Sequence, residues 1–399
     1  MNPLTPPKEI TLPLIQGGTY SSVLGTSVGV ASAGIKGTER LDVAVLRAEG
    51  PAAAVTTVST AAAACCRWTR ERLPGMLRAV VVNSGNANAA TGLQGEKDCF
   101  RMAEETARAL GCDTNEIAVC STGVIGVPMP MDRVLPGIRE AATQMTASGS
   151  DAAQAILTTD LRTKEASCSA AGITVGGIAK GSGMIHPNMA TMLGFLATDA
   201  IVEPSLLQTL LEDTVNRTFN CITVDGDMST SDTVILQTTG QGVVVEPDTA
   251  EWDILTQALY SVCRHLAREI ARDGEGANRL VEVLVEGLTD EEARVAAKGV
   301  IRSPLVKTAI HGCDANWGRV VGALGAYQVP HLEELSLDFA GIPVVRDGMP
   351  VPFNETLATA NLSQDEVLIH VRLPGDGIGR AWGCDLSADY VRINADYRS

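Results

Sequence analysis

The feature that most constrains the fold is a loop rich in glycine and proline that leads directly into an apolar run. The loop, residues 180–191, contains Gly181 and Gly183, and the run that follows it, residues 192–197, carries no charged side chain. A short apolar run bounded by turn residues is typical of a buried β-strand. The sequence therefore predicts a strand beginning close to Thr191, where a β-branched residue is ordinary.

This stretch resembles the self-cleavage site of the ornithine acetyltransferase family, the bifunctional acetyltransferases of arginine biosynthesis. The agreement extends over Lys180, Gly181, Gly183, Met184, Ile185 and residues 187–193. In that family the chain is cut between the alanine and the threonine of this motif, and the new N-terminal threonine is the nucleophile. The resemblance implies a cut between Ala190 and Thr191, which would give an α chain, residues 1–190, and a β chain, residues 191–399.

The chemistry of threonine supports this implication. A threonine hydroxyl is a weak nucleophile and needs an adjacent base. A cut before Thr191 would free an α-amine whose ordinary pKa, about 7.7–8.0, is close to neutral pH. One residue would then supply both nucleophile and base. In the cut itself, the same hydroxyl would attack the carbonyl of Ala190, and water would hydrolyse the resulting ester.

The composition excludes several classes of protein. The length of 399 residues suits two or three domains or one large α/β body, and the formal net charge of −16 argues against nucleic acid or an anionic membrane as a partner. No run approaches the roughly 18 apolar residues of a membrane span, and residues 1–8 lack the apolar core of a signal peptide. The ten cysteines form no CxxC pair, so we expect reduced thiols and a cytoplasmic protein.

Hydrophobic periodicity predicts strands and helices that alternate without an internal repeat, which indicates an α/β or α+β architecture. Strands are predicted at 41–46, 77–82, 116–120, 192–197, 280–285, 335–339, 366–373 and 390–393, and helices at 96–110, 132–145, 151–157, 204–218, 252–270 and 290–301. The resemblance covers the chain from about Gly29 to Ser399. It implies an α/β fold of layered sheets and helices with an N-terminal nucleophile, but without the usual connectivity of the N-terminal-nucleophile hydrolases.

One predicted helix carries a histidine that could be mistaken for a catalytic base. The apolar stripe of the helix at 252–270 is predicted to comprise Trp252, Leu255, Leu259, Val262, Leu266 and Ile270. His265 lies one position off this stripe. We therefore expect it at the boundary of the core rather than in catalysis.

A turn after the strand predicted at 116–120 places a hydroxyl residue beside a glycine, Thr122-Gly123. Such a pair can direct a hydroxyl and a backbone N–H to one point, which suits an oxyanion. Most turns of this composition have no such role. The resemblance favours the functional interpretation, because Thr122 and Gly123 match the pair that forms the family's oxyanion hole.

Three further candidates for substrate binding lie on the N-terminal side of the cut or at it. The resemblance implies a substrate contact from the threonines of the Thr-Thr-Asp sequence, where Thr158 is assigned and Thr159 is the alternative; a helix end with capping hydroxyls would be the simpler interpretation. It also implies contacts from Lys180, which could otherwise be a surface lysine, and from Thr191.

The remaining candidates lie in the C-terminal half. Glu275 stands between two glycines, which let a ligand approach a carboxylate closely; an exposed residue at a helix end is the alternative. The resemblance assigns Glu275 to the substrate ammonium. It also implies that Asn394 and Ser399 bind substrate, although free C-termini are usually mobile. Serine stands at 399 where threonine is commoner in the family.

Three polar runs have simpler interpretations. By themselves the amide-rich residues 83–92 favour a tight loop whose asparagines bond to nearby backbone over a substrate contact, whereas the resemblance, which includes this run, favours a place lining the site. The acidic residues within 225–232 lack the terminal glutamate of an EF-hand. The His, Cys and Asp within 311–314 lack a second cluster to complete a metal site. We therefore expect no metal.

The resemblance implies a ping-pong acetyl transfer from N2-acetyl-L-ornithine to L-glutamate through acetylated Thr191. It implies no bound cofactor, an assembly of two α and two β chains, and in some members acetyl-CoA as a co-substrate, a use that the sequence leaves open. The alternatives are an N-terminal-nucleophile aminopeptidase or amidase, in which water takes the acyl group, and a non-catalytic small-molecule binding protein.

Overall fold

The structure is a computed structural model that describes residues 11–37, 40–186 and 192–396. The chain divides into two compact units. We call Ile10–Asn220 with Asp227–Leu266 the N-terminal unit, and Cys221–Gly226 with Ala267–Ser399 the C-terminal unit. Residues on both sides of the predicted cut contribute to the N-terminal unit, so the predicted α and β chains are products of cleavage rather than folding units.

Strands and helices alternate along the described ranges. The strands are β1 Ser27–Ala31, β2 Val43–Thr56, β3 Gly75–Asn86, β4 Ile117–Val124, β5 Lys164–Ala170, β6 Ile173–Lys180, β7 Leu193–Thr198, β8 Ile222–Thr223, β9 Thr233–Thr238, β10 Leu280–Leu288, β11 Ser336–Phe339, β12 Ile342–Arg346, β13 Met349–Pro350, β14 Glu366–Gly375 and β15 Ile378–Cys384. The helices are α1 Ala64–Arg70, α2 Gly92–Leu110, α3 Met131–Thr143, α4 Gly149–Ala155, α5 Pro204–Arg217, α6 Ala250–Arg272, α7 Asp290–Arg302, α8 Pro304–His311, α9 Trp317–Ala326, α10 Glu355–Leu362 and α11 Ala388–Ala395.

The N-terminal unit contains a mixed sheet in the order β4-β3-β2-β9-β7-β6-β5, with β1 paired to β2. Alternate residues of β2 point to opposite faces. Val43 and Val45 belong to a core cluster with α1, α2 and α3, whereas Ala44 and Leu46 belong to a second cluster with α4. Both faces of this sheet are therefore covered, and the unit is a layered α/β structure.

The C-terminal unit contains a sheet in the order β13-β12-β11-β14-β10-β15-β8. Along β10, Val281, Val283 and Val285 join a core cluster that includes the buried alanines of α7. Among the intervening residues, Glu282 pairs with Arg268, and Glu286 lies 2.7 Å from His370 Nε2 and 3.9 Å from Arg372 Nε. One face of this sheet is thus apolar and covered by helix, and the other carries charged side chains.

The structure confirms most of the predicted elements. The strand expected at 192–197 is β7, and the predicted long helix is α6, whose stripe residues Leu255, Leu259, Val262, Leu266 and Ile270 are buried. His265 is half-buried, at the boundary of the core, as predicted. In the described part of the chain, no helix combines the length and the apolar character that crossing a membrane requires.

One predicted strand is wrong. Residues 390–393 lie within the helix α11. The Tyr, Val and Ile of this segment favour strands, but Ser387 precedes it as a helix cap and accepts a hydrogen bond from the backbone N–H of Asp389. The capping serine decides the local structure over four residues of strand-favouring composition.

Candidate active site

Thr122 and Gly123, which were predicted in a turn after a strand ending at 120, instead lie within the last three residues of β4, beside the end of the parallel strand β3; we call this pair the oxyanion turn. Gly123 has a φ of +131° and Gly85, its neighbour on β3, a φ of +100°, values that L side chains rarely adopt. A Cβ at Gly123 would lie 2.3 Å from the carbonyl carbon of Gly85 and 2.6 Å from the backbone N of Asn86. Only glycine fits this position, and Thr122 and Gly123 remain partly accessible.

Lys180 brings a positive charge to this turn. Its Nζ lies 3.5 Å from Thr122 Oγ1 and 3.9 Å from Asp160 Oδ2, with 9% of the side chain exposed. Lys180 is the last residue of β6 and pairs across the strands with Leu193, the first residue of β7. The antiparallel pairing of β6 and β7 therefore positions the lysine, and Leu193 stands two residues after Thr191.

Asp160, to which the sequence assigned no role, organises the site. Its side chain is 0% exposed, and its carboxylate accepts hydrogen bonds from Lys164 Nζ at 2.7 Å, the backbone N–H of Gly181 at 2.6 Å and that of Thr158 at 3.0 Å. Burial alone would raise the pKa of Asp160, but the ammonium groups of Lys180 and Lys164 outweigh burial and hold the pKa well below its usual range. Asp160 therefore stays ionised and holds the lysines in place.

The structure brings four of the predicted site residues together: Asp160 contacts Thr158 and Lys180, and Lys180 contacts Thr122 beside Gly123. Thr158 and Thr159 are both half-buried, and both remain candidates. The predicted residues Ala190, Thr191 and Ser399 lie outside the described residues.

The ion pair of Asp160 with Lys164 spans four residues that are not helical, so the i, i+4 rule for helices could not have predicted it. The sequence also gives no sign that Lys180 and Gly181, some twenty residues later, contact the carboxylate of Asp160.

The arrangement can stabilise negative charge at one point. The ammonium of Lys180 lies beside the hydroxyl of Thr122, and Gly123 follows Thr122 in the chain. Donors fixed before a reaction stabilise an oxyanion without the cost of reorganising solvent. The geometry therefore suits acyl transfer through a tetrahedral intermediate.

In the C-terminal unit, Glu275 and Asn394 are hydrogen-bonded to each other, with Asn394 Nδ2 donating to Glu275 Oε2 at 2.8 Å. Glu275 is buried. The contact depends on α11, because Gly276 (φ +71°) packs so closely that a Cβ there would lie 2.5 Å from the backbone N of Tyr390. The helix in place of the predicted strand is thus what brings Asn394 to Glu275.

Lys307 is a buried residue of the same unit that the sequence did not single out. Its Nζ donates to the carbonyl of Val224 and lies 3.7 Å from Cys384 Sγ. A Cβ at Gly274 would lie 2.8 Å from that sulfur, so this cluster supports the loop that carries Glu275. Burial raises the pKa of the Cys384 thiol and keeps it protonated.

The side chains of the amide-rich residues bond to backbone that is partly near and partly distant in the sequence. Asn88 Nδ2 donates to Gly95 O at 2.8 Å, whereas Asn86 Nδ2 donates to the carbonyls of Val127 and Pro128, at 3.1 and 3.2 Å. The prediction of bonds to nearby backbone therefore holds for Asn88 and not for Asn86, which links this run to residues that follow β4.

His311 pairs with Asp385 rather than with the nearby cysteine, at 2.8 Å between Nδ1 and Oδ2. Within the described ranges, one group of three side chains, His331, Glu333 and Glu334, is close enough together to hold a metal ion. All three are exposed, and exposed acidic groups of this kind are common without an ion.

Comparisons with known proteins agree over nearly the whole chain. The sequence profile of the ArgJ family matches residues 27–399. The arginine biosynthesis bifunctional protein ArgJ of Parasynechococcus marenigrum (strain WH8102) is 45% identical over 397 residues, covering 96% of each chain. The protein of the same name from Symbiobacterium thermophilum is 46% identical over 398 residues, covering 96% of this chain and 99% of its relative.

The crystal structure of the arginine biosynthesis bifunctional protein argJ from Bacillus halodurans is 45% identical, with a TM-score of 0.50. The match covers 99% of the solved chain but 51% of this one, so the solved chain is about half as long. The profile match and the identities confirm the family that residues 180–193 resemble, and the chain belongs to the ArgJ family.

Proposed function

We propose that this chain transfers the acetyl group of N2-acetyl-L-ornithine to L-glutamate through an acetylated Thr191. The observation that carries the proposal is the Lys180 ammonium, 3.5 Å from Thr122 Oγ1, at a turn where position 123 admits only glycine. A hydroxyl, a backbone N–H and a cation at one place are the groups that stabilise an acyl-transfer oxyanion. Membership of a family whose relatives are named for arginine biosynthesis supports these substrates.

The nucleophile is made by self-cleavage. Thr191 Oγ attacks the carbonyl carbon of Ala190, the peptide C–N bond breaks, and the product is an ester with a free α-amine on Thr191. Water then hydrolyses the ester and leaves Ala190 with a carboxylate. The half-length chain of the solved Bacillus halodurans relative supports a cut near the middle, because the piece from residue 191 to 399 is also about half of this chain.

Transfer then proceeds in two half-reactions. Thr191 Oγ attacks the acetyl carbonyl of the donor, while the Thr191 α-amine accepts the hydroxyl proton. Thr122 and Gly123 stabilise the oxyanion. The intermediate collapses, the α-amine of ornithine leaves with that proton, and the acetyl group stays on Thr191. The amine of L-glutamate then attacks the acetyl ester carbon, the bond from that carbon to Thr191 Oγ breaks, the amine proton passes through the Thr191 α-amine to Oγ, and N-acetylglutamate leaves.

Substrate recognition divides between charges of opposite sign. An amino acid needs a cation for its carboxylate and an anion for its ammonium. We assign Glu275 to the substrate ammonium and Lys180 to a substrate contact beside the oxyanion at Thr122, since both side chains are buried enough for strong interactions. Further contacts are assigned to Thr158 or Thr159, Asn394 and Ser399.

The cellular setting follows from the same family. Acetyl-CoA is a second acetyl donor in this proposal, and the word bifunctional in the names of the relatives supports it. The enzyme needs no bound cofactor, acts on small molecules and assembles from two α and two β chains. In the described part of the chain the cysteines form no disulfide bond, which supports a cytoplasmic location.

The first test is the intact mass of freshly purified protein. Wild type is expected as two pieces that join at Ala190 and Thr191, and Thr191→Ala as one whole chain. Thr143→Ala, at an exposed position of α3, is the control and is expected to be cut like wild type.

The second test is acetyl transfer by the cut enzyme. Continued consumption of acetylornithine should require glutamate; without glutamate, consumption should stop at one acetyl group per enzyme, and acetylated Thr191 should accumulate. Hydrolysis of acetylornithine at the same rate without glutamate would identify an amidase instead. An uncut wild type without an acetylated intermediate would favour a binding protein.

A further inference from the structure

Lys36 lies in the loop 32–37 and has no role in the mechanism above. Its Nζ donates hydrogen bonds to the backbone carbonyls of Ala155, at 3.3 Å, and Leu157, at 3.0 Å. Ala155 is the last residue of α4, and Leu157 directly precedes Thr158. The Lys36 ammonium therefore fixes the segment that leads into the Thr-Thr-Asp sequence.

The backbone of the same loop is held firmly by one buried carboxylate. Asp42 accepts hydrogen bonds from the backbone N–H groups of Ala33 and Ile35, both at 2.6 Å, and of Lys36, at 3.3 Å. Asp42 is itself buried, and its carbonyl accepts from the N–H of Ser84 at 2.9 Å. The backbone of Lys36 is therefore held, through Asp42, close to Ser84 near the end of β3.

Between these two ends, the Lys36 side chain passes over the oxyanion turn. A Cβ at Gly85 would lie 2.9 Å from Lys36 Cγ, and Gly85 is the residue against which Gly123 packs. The stem of the lysine thus rests beside the Gly85–Gly123 contact, while its ammonium holds the segment before Thr158. The Lys36 side chain therefore connects the oxyanion turn with the segment that precedes Thr158.

We propose that Lys36 is a positioning residue, whose charged ammonium holds the Thr158 segment in register with the Thr122-Gly123 turn. The proposal rests on the proposed function, because it concerns how a substrate bound at Thr158 meets the oxyanion turn. In this role Lys36 contacts none of the atoms that react. Its effect is on the distance between the acetyl donor and the groups that stabilise the oxyanion.

The charge of Lys36 is sensitive to pH in the range where the enzyme works. Burial lowers the pKa of Lys36 to about 8; Asp42 and Asp160 raise it, and Arg40 and Lys180 lower it further. From α3, Arg133 also reaches this loop, donating to Gly34 O at 3.3 Å. As the pH rises through 8, the ammonium becomes a neutral amine.

A neutral Lys36 amine binds the carbonyls of Ala155 and Leu157 more weakly than the ammonium does. It has two N–H donors instead of three, and hydrogen bonds from a charged donor are roughly twice as strong as those from a neutral one. The positioning effect of Lys36 should therefore be present below pH 8 and fade above it.

The experiment is the pH dependence of kcat/KM for acetylornithine, from pH 6 to 9.5, with cut enzyme and saturating glutamate. Wild type should give a bell, with an ascending limb from the Thr191 α-amine and a descending limb near pH 8 from Lys36. Lys36→Met should lower kcat/KM by about ten- to a hundred-fold, the effect of a small misplacement, and should lack the descending limb.

Two further variants sharpen the test. Lys36→Arg keeps a cation that does not titrate below about pH 12, so it should retain more activity than Lys36→Met and carry no descending limb in this range. Lys97→Met removes a charge from an exposed position of α2 and should reproduce the wild-type profile in full.

The proposal is overturned if the descending limb persists in the Lys36 variants, or if Lys36→Met matches Lys97→Met in kcat/KM. Should Lys36→Met fail to fold or to be cut, the profile of Lys36→Arg decides by itself. The ascending limb and the acetylated Thr191 are expected in every active variant. Their absence from wild type would count against the proposed function, not against the role of Lys36.

Discussion

Two carboxylates in this molecule, Asp160 and Glu366, are each held between two cations, yet their surroundings differ. Asp160 in the N-terminal unit lies between Lys164 and Lys180 and is 0% exposed. Glu366 in the C-terminal unit accepts hydrogen bonds from Arg268, at 2.7 Å, and Arg272, with 51% of its side chain exposed. Each carboxylate has one close cation at 2.7 Å and a second cation beside it, and the main difference between the two is solvent access.

The difference has consequences for energy and for function. An exposed ion pair gains little, because water and salt screen it. A buried charge is costly unless its partners and hydrogen bonds compensate for it fully. Asp160 has such compensation, including the backbone N–H groups of Thr158 and Gly181. The buried network therefore fixes the positions of the candidate site residues Thr158 and Lys180, whereas the exposed one only joins charges at the surface.

The largest expected effect on stability is that of Asp160→Asn. The neutral amide would leave the ammonium groups of Lys164 and Lys180 without their common counter-charge in a buried place. Breaking a buried pair on one side costs about 3–5 kcal/mol of unfolding free energy. Urea denaturation of the variant and of wild type at pH 7 measures this difference. A loss of unfolding free energy below about 1 kcal/mol would mean that water reaches Asp160, and that Asp160 and Glu366 do not differ in solvent access as described.

The sequence predicted the elements better than it predicted the connections between them. The apolar stripe of α6 and the strand β7 followed from periodicity, because these elements bury one continuous apolar surface. The strand predicted at 390–393 was wrong, because the helix cap at Ser387 has more influence on this segment than its four residues of strand-favouring composition. Short segments at the end of a chain are governed by local caps that composition hides.

For the candidate site, the residue types were predictable and the organising carboxylate was not. Thr122, Gly123, Thr158 and Lys180 came from the resemblance. Asp160 can hold Lys180 because β5 and β6 pair with each other, which brings the backbone N–H of Gly181 to the Asp160 carboxylate. Lys36 was hidden for the same reason, because its partners lie more than a hundred residues later in the chain. Contacts of this kind depend on tertiary structure rather than on a local pattern.

The next effect in size is on catalysis at the edge of the buried network. Thr122→Ala removes the hydroxyl beside Lys180 while leaving the Asp160 network intact. Loss of one oxyanion donor lowers kcat by about 100- to 1,000-fold, and we expect this loss in cut enzyme with little change in unfolding free energy. Steady-state kinetics with acetylornithine and glutamate measure it. Thr122→Ser keeps the hydroxyl and is the matched control, expected within a few-fold of wild type; an unchanged kcat in Thr122→Ala would remove Thr122 from the oxyanion site.

The smallest effect is expected at the exposed counterpart of Asp160. Glu366→Gln removes the same charge from the same kind of pair, but water can solvate Arg268 and Arg272 once the carboxylate is gone. The unfolding free energy should fall by no more than about 1 kcal/mol, and the difference from wild type should shrink as salt rises, since the Debye length drops to about 3 Å at 1 M. Urea denaturation at low and high salt measures both, and kcat should be unchanged. A loss as large as that of Asp160→Asn, and insensitive to salt, would show that Glu366 is buried in the working enzyme, as a carboxylate covered by a second chain would be.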